Sequence, residues 1–325
     1  MRDKSGKRKS RSLAARGMTL CVGPRFLMAA LLATIVTPIC VPLGAPDDVA
    51  RPKITGIAYV RVFAADLNSS REFYGKILGL TSGSAGCLNI ARPCFTVNSH
   101  QHIELAQIPG GAPDNLLATV AFATSNVEQM HAYLVAHGVA AKPMVKDGNG
   151  LAYFEVLDPE GHPVSFVQQS DHFFSPTADQ IGTRLFHAGF IVKDNEVEDR
   201  FYRGLLGFRM YWRGGFKDED MDWEELQIPE GSDWIEYMLN IPARTDQKER
   251  GIQNHFSLGV ANIKATFERL RVHGLKPGED KPEIGRDGKW SFDIYDPDAT
   301  RVEFMEYKPA QPPCCHPYEA QHPTP

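Results

Sequence analysis

Four residues interrupt apolar runs of this 325-residue chain with side chains that bind cations: His187, Glu236, His255 and Glu303. Alternation at period two says which way each one points. In the run from Phe186, the residues Phe186, Ala188, Phe190 and Val192 share one face, leaving His187, Gly189 and Ile191 on the other. In His255–Val260, Phe256, Leu258 and Val260 form the apolar face opposite His255. Ile235 and Tyr237 alternate with Glu236, and Val302 and Phe304 flank Glu303. A lone strand histidine is usually an ordinary hydrogen-bonded residue. Two imidazoles and two carboxylates on the same side of a sheet instead suit one divalent cation: Zn, Ni, Co, Mn or Fe(II). Glu236 and Glu303 are also the candidate catalytic groups, since a carboxylate at a metal can move a proton. Glu236 reads equally as a ligand or as a base beside the ion.

Positioning these residues requires strands in fixed register, and the chain supplies them by repetition. Ile57–Leu80 lies over Leu185–Phe208, with Asp66, Phe73-Tyr74 and Leu78-Gly79 matching Asp194, Phe201-Tyr202 and Leu206-Gly207. A weaker copy follows each: Thr119–Asn126 over His255–Asn262, then His137-Gly138 over His273-Gly274. The closing strands pair as Leu157–Phe166 with Tyr295–Phe304, each opening on an Asp-Pro turn. Each copy reads as strand, helix, then short strands broken by Gly, Pro and Asp. The expected fold class is α+β: four βαβββ modules paired into two domains, 54–169 and 183–307, with cupped mixed sheets and outer helices. Residues 170–182 read as the linker.

A net charge of -5 carries no basic footprint for nucleic acid. Basic residues between Lys4 and Arg25 precede the apolar run Phe26–Val36 and the small residues Gly44-Ala45, the layout of an export signal over 1–45. The expectation is an exported protein, periplasmic or extracellular, free of membrane after cleavage; an uncleaved anchor is the alternative. Cys87 and Cys94 are candidates for a disulfide in such a compartment. The proline-rich segment 308–325, which holds Cys314, Cys315 and His316, reads as a disordered tail with at most incidental metal affinity. Lys217–Asp222 reads as a solvated loop.

The Asp…Phe-Tyr…Leu-Gly helices, the Ile103-Glu104-Leu105 strand and the Asp-Pro turns resemble the vicinal oxygen chelate superfamily, which includes glyoxalase I, extradiol dioxygenases and bleomycin-resistance proteins. The resemblance covers nearly all of 54–307. It implies metal ligands on the first, fourth, fifth and eighth strands of a domain, the positions of His187, Glu236, His255 and Glu303. At the matching positions the first half has Tyr59, Glu104, Thr119 and Ser165, which do not hold a divalent ion. Exchange of modules between halves would split the ligand set, so an unswapped site within 183–307 is expected, a layout resembling the ring-cleaving dioxygenases. Arg61, on the inner face beside Tyr59, reads as a possible anion binder or a solvent-reaching side chain.

Four ligands leave about two positions on an octahedral ion, which suits an enediolate and Lewis-acid isomerase or lyase chemistry on a small oxygenated substrate. Two departures weigh against the Fe(II) extradiol dioxygenase alternative: Phe292-Asp293 stands where that group places a tyrosine, and Gly231–Asp233 contains no histidine. A non-catalytic sequestering protein is the third reading. Trp212, Trp223, Trp234 and Trp290 line either the substrate pocket or the core. Oligomeric state is not readable from the chain.

Overall fold

The computed structural model describes residues 49–83, 92–110, 115–146, 151–168, 177–242, 246–276 and 281–325. The expected signal segment, residues 170–176 of the linker and Cys87 lie outside the described residues. Cys94 is disulfide-bonded. Among the described residues no helix is long and apolar enough to cross a membrane.

The described residues form one compact unit built on two eight-stranded mixed sheets, one per half. The four βαβββ modules are all present. In each sheet the opening strands of the two modules, Ile54–Ala64 with Leu117–Thr124 and Arg184–Ile191 with His255–Val260, pair antiparallel at the centre. The last strand of each module then runs parallel to its own first strand, as Trp234–Met238 does beside Arg184–Ile191 and Arg301–Glu306 beside His255–Val260.

The repeated polar residues have plain structural reasons. Asp66, Asn126, Asp194 and Asn262 are the N-caps of the four module helices, each accepting a backbone N–H at 2.9–3.1 Å. Such a cap contributes about 1 kcal/mol. The Phe-Tyr pairs sit in π-helical turns, Phe73–Ile77 and Arg200–Leu205, closed by Gly79 and Gly207 at positive φ. Each tyrosine reaches an Asp-Pro turn of the other half: Tyr74 donates to Asp296 Oδ2 and Tyr202 to Asp158 Oδ2, both at 3.1 Å. One apolar cluster, including Val60, Tyr74, Phe122, Leu134, Phe190, Tyr202, Leu258 and Ile263, accordingly runs through both halves. Tyr74→Phe removes one buried bond to a carboxylate and is expected to cost about 1.5–3 kcal/mol in urea unfolding at pH 7.

Two expectations are corrected. Strict alternation placed Phe186 on the helix-facing side, but it belongs to an inner cluster with Tyr211, Trp212, Trp234 and Met305. The ladder pairs His187 with Ser257 and Leu185 with Leu258, so Phe186 is the extra residue of a β-bulge and turns inward beside His187. The first half has the same irregularity between Ile57 and Tyr59, turning Ala58 and Tyr59 inward together. Bulges re-aim side chains beside functional sites.

The tail 308–325 is not disordered; it lies across the second half. Cys314 N donates to Arg286 O, Glu319 N to Tyr211 O, and Gln227 Nε2 to Gln321 O, at 2.8–2.9 Å. Tyr318 Oη donates to Asp287 O at 2.8 Å, and its ring packs 4.8 Å from Tyr211. Proline content signals only that a segment makes no helix or ladder; this one is held by aromatic side chains and by carbonyls that find donors. Cys314 and Cys315 are bonded to each other, so neither offers a thiolate to a metal. Of the linker, 177–182 is pinned, with Ile181 N donating to Leu78 O at 2.9 Å and Ile181 buried.

Candidate metal centre

The inner face of the second sheet brings His187, Glu236, His255 and Glu303 together, all from the second half and with no module exchanged. His187 Nε2 lies 3.1 Å from His255 Nε2 and 3.0 Å from Glu303 Oε2, and His255 Nε2 lies 3.6 Å from the same oxygen. These separations match the edges of a coordination shell with bonds of about 2.0–2.2 Å, whose ligand atoms stand roughly 3.0–3.6 Å apart. Glu236 Oε2 touches only one side of this set, 3.1 Å from His255 Nε2. The three-residue group His187, His255 and Glu303 has its ligand atoms mutually close; Glu236 is its neighbour.

The protonation states fit a cation. His255 Nδ1 is 3.1 Å from the Gln253 carbonyl oxygen, which only accepts, so Nδ1 carries the proton and Nε2 keeps its lone pair. Burial, followed by the charges of Arg301 and His187, pushes the His255 imidazole well below its usual range, which keeps it neutral. Burial alone would raise the Glu303 carboxyl, but the hydrogen bond and charge of His187, with Arg301 and His255, outweigh it and hold it low. His187 is oriented by Trp234, whose ring centroid is 5.0 Å away. A neutral His255 imidazole, the Glu303 carboxylate and the His187 imidazole beside them are the donor set of a divalent-metal site with open positions.

Gly189 makes the arrangement possible. It is the ladder partner of His255, and a Cβ there would lie 2.6 Å from His255 Nδ1 and 2.9 Å from Nε2. The group that approaches Gly189 closely is therefore the His255 imidazole. Gly189→Ala is expected to push the ring out of place and weaken metal binding by on the order of 10- to 100-fold, measured by competition with a chelating dye.

Sequence reasoning missed three groups. Arg301, two residues before Glu303 and so on the same face, places a guanidinium nitrogen 2.6 Å from His255 Nε2 and another 3.6 Å from Asp293 Oδ2. Glu225, the ladder partner of Glu236, is buried, and burial raises its carboxyl well above the usual range despite the nearby Lys289 charge. Lys289 is itself fully buried, 3.3 Å from Asp287 Oδ2, its ammonium over the rings of Trp234 (4.4 Å), Tyr211 and Tyr318 (4.9 Å each). Alternation reveals Arg301; Lys289 and Tyr318 carry no comparable signal. Of the tryptophans, Trp212 and Trp234 face inward with Trp223 packed against them, while Trp290 packs against the main core.

In the first half a guanidinium stands among the equivalent residues. Arg61 donates to Glu104 Oε2 (2.8 Å), Thr119 Oγ1 (3.2 Å) and Tyr59 Oη (3.3 Å), and pairs with Glu155 at 3.3 Å. Arg61 is thus neither an anion site nor solvent-reaching; it is an internal cation. Burial would raise Glu104, but His102 and then Arg61 outweigh it, bringing its carboxyl down to about 2. A cavity of about 330 Å³ lies at the mouth of this first sheet's inner face, lined among others by Gly56, Ala58, Gln101, Val167 and Arg184.

Comparison with curated proteins returns no match. Among solved structures, homoprotocatechuate 2,3-dioxygenase from Brevibacterium fuscum, in its anaerobic complex with 3,4-dihydroxyphenylacetate, is similar with a TM-score of 0.57 at 22% identity. The match covers 79% of this chain and 82% of that one. A room-temperature structure of an extradiol ring-cleaving dioxygenase from the same organism gives a TM-score of 0.58 at 21% identity, over 79% and 73%. At that identity the likeness concerns the fold. The family model described as Glyoxalase/Bleomycin resistance protein/Dioxygenase superfamily matches residues 56–166 and again 184–304. The chain belongs to that superfamily, which it carries in tandem.

Proposed function

We propose that the second half is a mononuclear divalent-metal enzyme of the ring-cleaving dioxygenase type, acting on a small aromatic substrate with adjacent hydroxyls. The observation that carries this reading is the compact His187, His255, Glu303 set, with Glu236 beside it rather than within it. A ferrous ion on such a three-ligand face supplies Lewis acidity and leaves coordination positions for substrate and oxygen. The fold shared with the Brevibacterium fuscum enzyme supports the same assignment.

The chain's own residues then have separable tasks. His187, His255 and Glu303 hold the ion. Glu236 is the base that takes the substrate's hydroxyl proton, the task for which Gly231–Asp233 offers no histidine. Arg301 stabilises negative charge developing on substrate oxygen. Trp234, Tyr211 and the tail residue Tyr318 wall the inner face and exclude water.

A second reading is favoured by one distance. Glu236 at 3.1 Å from His255 Nε2 is near enough to become a fourth ligand, which is the arrangement suited to isomerase or lyase chemistry. Oxygen uptake separates the two. Protein loaded anaerobically with Fe(II) should consume about one oxygen per catechol and yield a yellow ring-opened product. Turnover of a small oxygenated substrate with Ni, Co or Zn, and none of oxygen with Fe(II), would replace the dioxygenase with the isomerase.

A further inference from the structure

A second cluster of metal-ligating side chains lies away from the site above, where the two halves meet. Asp158 and His162 come from the first half's Asp-Pro turn, and Glu198 from the second half's Asn195–Asp199 helix. One ligand atom from each lies within 4.8 Å of the others. Two of the three already touch, His162 Nδ1 lying 2.8 Å from Asp158 Oδ2.

Among the described residues no Lys or Arg pairs with the cluster's carboxylates. Glu198 is fully buried; its Oε1 accepts the Glu160 N–H at 2.8 Å, and its Oε2, also buried, has no hydrogen-bond partner. Asp158 is buried too, accepting from the His162 N–H at 2.7 Å and from Tyr202 Oη at 3.1 Å, with His162 Nδ1 at 2.8 Å. Among the described residues, His162 is the one basic side chain paired with either carboxylate. Burial, then the Asp158 charge, raises the Glu198 carboxyl to about 8.

The internal repeat provides a control. At the other junction of the halves Ser70 stands for Glu198, Asp296 for Asp158 and Thr300 for His162, with Tyr74 bonded to Asp296 as Tyr202 is to Asp158. The clasp alone thus needs one carboxylate and one tyrosine. The added glutamate and histidine bring a second carboxylate and an imidazole to one point, where the twin junction has only two hydroxyls, and that is more than the clasp requires.

We propose that Asp158, His162 and Glu198 form a second divalent-cation site, taking a first-row ion such as Zn²⁺ or Mn²⁺, that fastens the first half's turn to the second half's helix. The test is calorimetric titration of chelator-treated full chain with Zn²⁺. Wild-type protein should take up two ions and His255→Ala one, and in the His255→Ala background Zn²⁺ should raise the unfolding midpoint. Adding Glu198→Gln to that background should abolish both the remaining site and the shift. Glu198→Ser, copying Ser70, serves if the glutamine variant loses its near-ultraviolet dichroism. A His255→Ala protein that binds no ion, as expected if Glu198 merely holds a proton, overturns the proposal while leaving the first site standing. So does an ion that survives both Glu198→Gln and His162→Ala, which would be adventitious.

Discussion

Arg61→Met is expected to destabilise the protein by about 3–5 kcal/mol, because it leaves Glu104 in a fully buried position without the guanidinium that bonds it at 2.8 Å. The pair forms no part of the proposed active site, so the second half's ligands should keep their geometry. Arg61→Met/Glu104→Leu should recover most of the loss, since apolar replacement of a whole buried pair is often neutral or stabilising. A double variant as unstable as the single one would show that Arg61 acts through packing instead. The sign with pH follows from Glu104, whose carboxyl is held at about 2 against an ordinary 4.5. A depressed carboxyl stabilises the fold above its unfolded value, and that stabilisation is lost as pH falls from about 4.5 toward 2. The deficit of Arg61→Met should therefore be full at neutral pH and shrink in acid, measured by urea unfolding across that window.

His255→Ala is expected to weaken metal binding at the second-half site by more than about 100-fold, the upper figure for losing only a supporting partner of a ligand. His255 Nε2 faces every other member of the set, at 3.1 Å from His187, 3.1 Å from Glu236 and 3.6 Å from Glu303. Elemental analysis should register one ion fewer per chain, and oxygen consumption should fall to background. Glu236→Gln separates ligand from base: unchanged metal content with a large loss of turnover identifies the base, whereas loss of the ion identifies a fourth ligand and favours the isomerase reading. An unchanged metal content in His255→Ala would sink the proposed site altogether.

Much of this architecture is legible in the chain, and what escapes has physical causes. Four helix entries could be aligned because an Asp or Asn N-cap recurs in every module, and a Phe-Tyr pair with its closing Gly recurs at the head of each half. Alternation placed Glu236, His255 and Glu303 on the inner face because a strand's side-chain period is two. It failed at Phe186, where a bulge inserts one residue and resets the count without any residue type announcing it. Arg301 was available to the same reasoning, since it shares the face of Glu303. The ordered tail was not: local composition counts prolines but does not reveal that Tyr211 and Asp287 await Tyr318 far away in sequence. The link between each Phe-Tyr motif and the opposite Asp-Pro turn was equally hidden, because two recurring signals in one chain do not say which copy meets which.

That crossed pairing has a consequence for anyone who wants to cut the gene in two. Each half contributes the tyrosine for one clasp and the aspartate for the other, and a single apolar interior continues through both. A fragment ending at the linker would carry an unanswered phenol, an unanswered acid and an open oily wall. Separately expressed fragments should aggregate, yet reassemble when made together. The duplication visible in the sequence is no longer a pair of independent proteins.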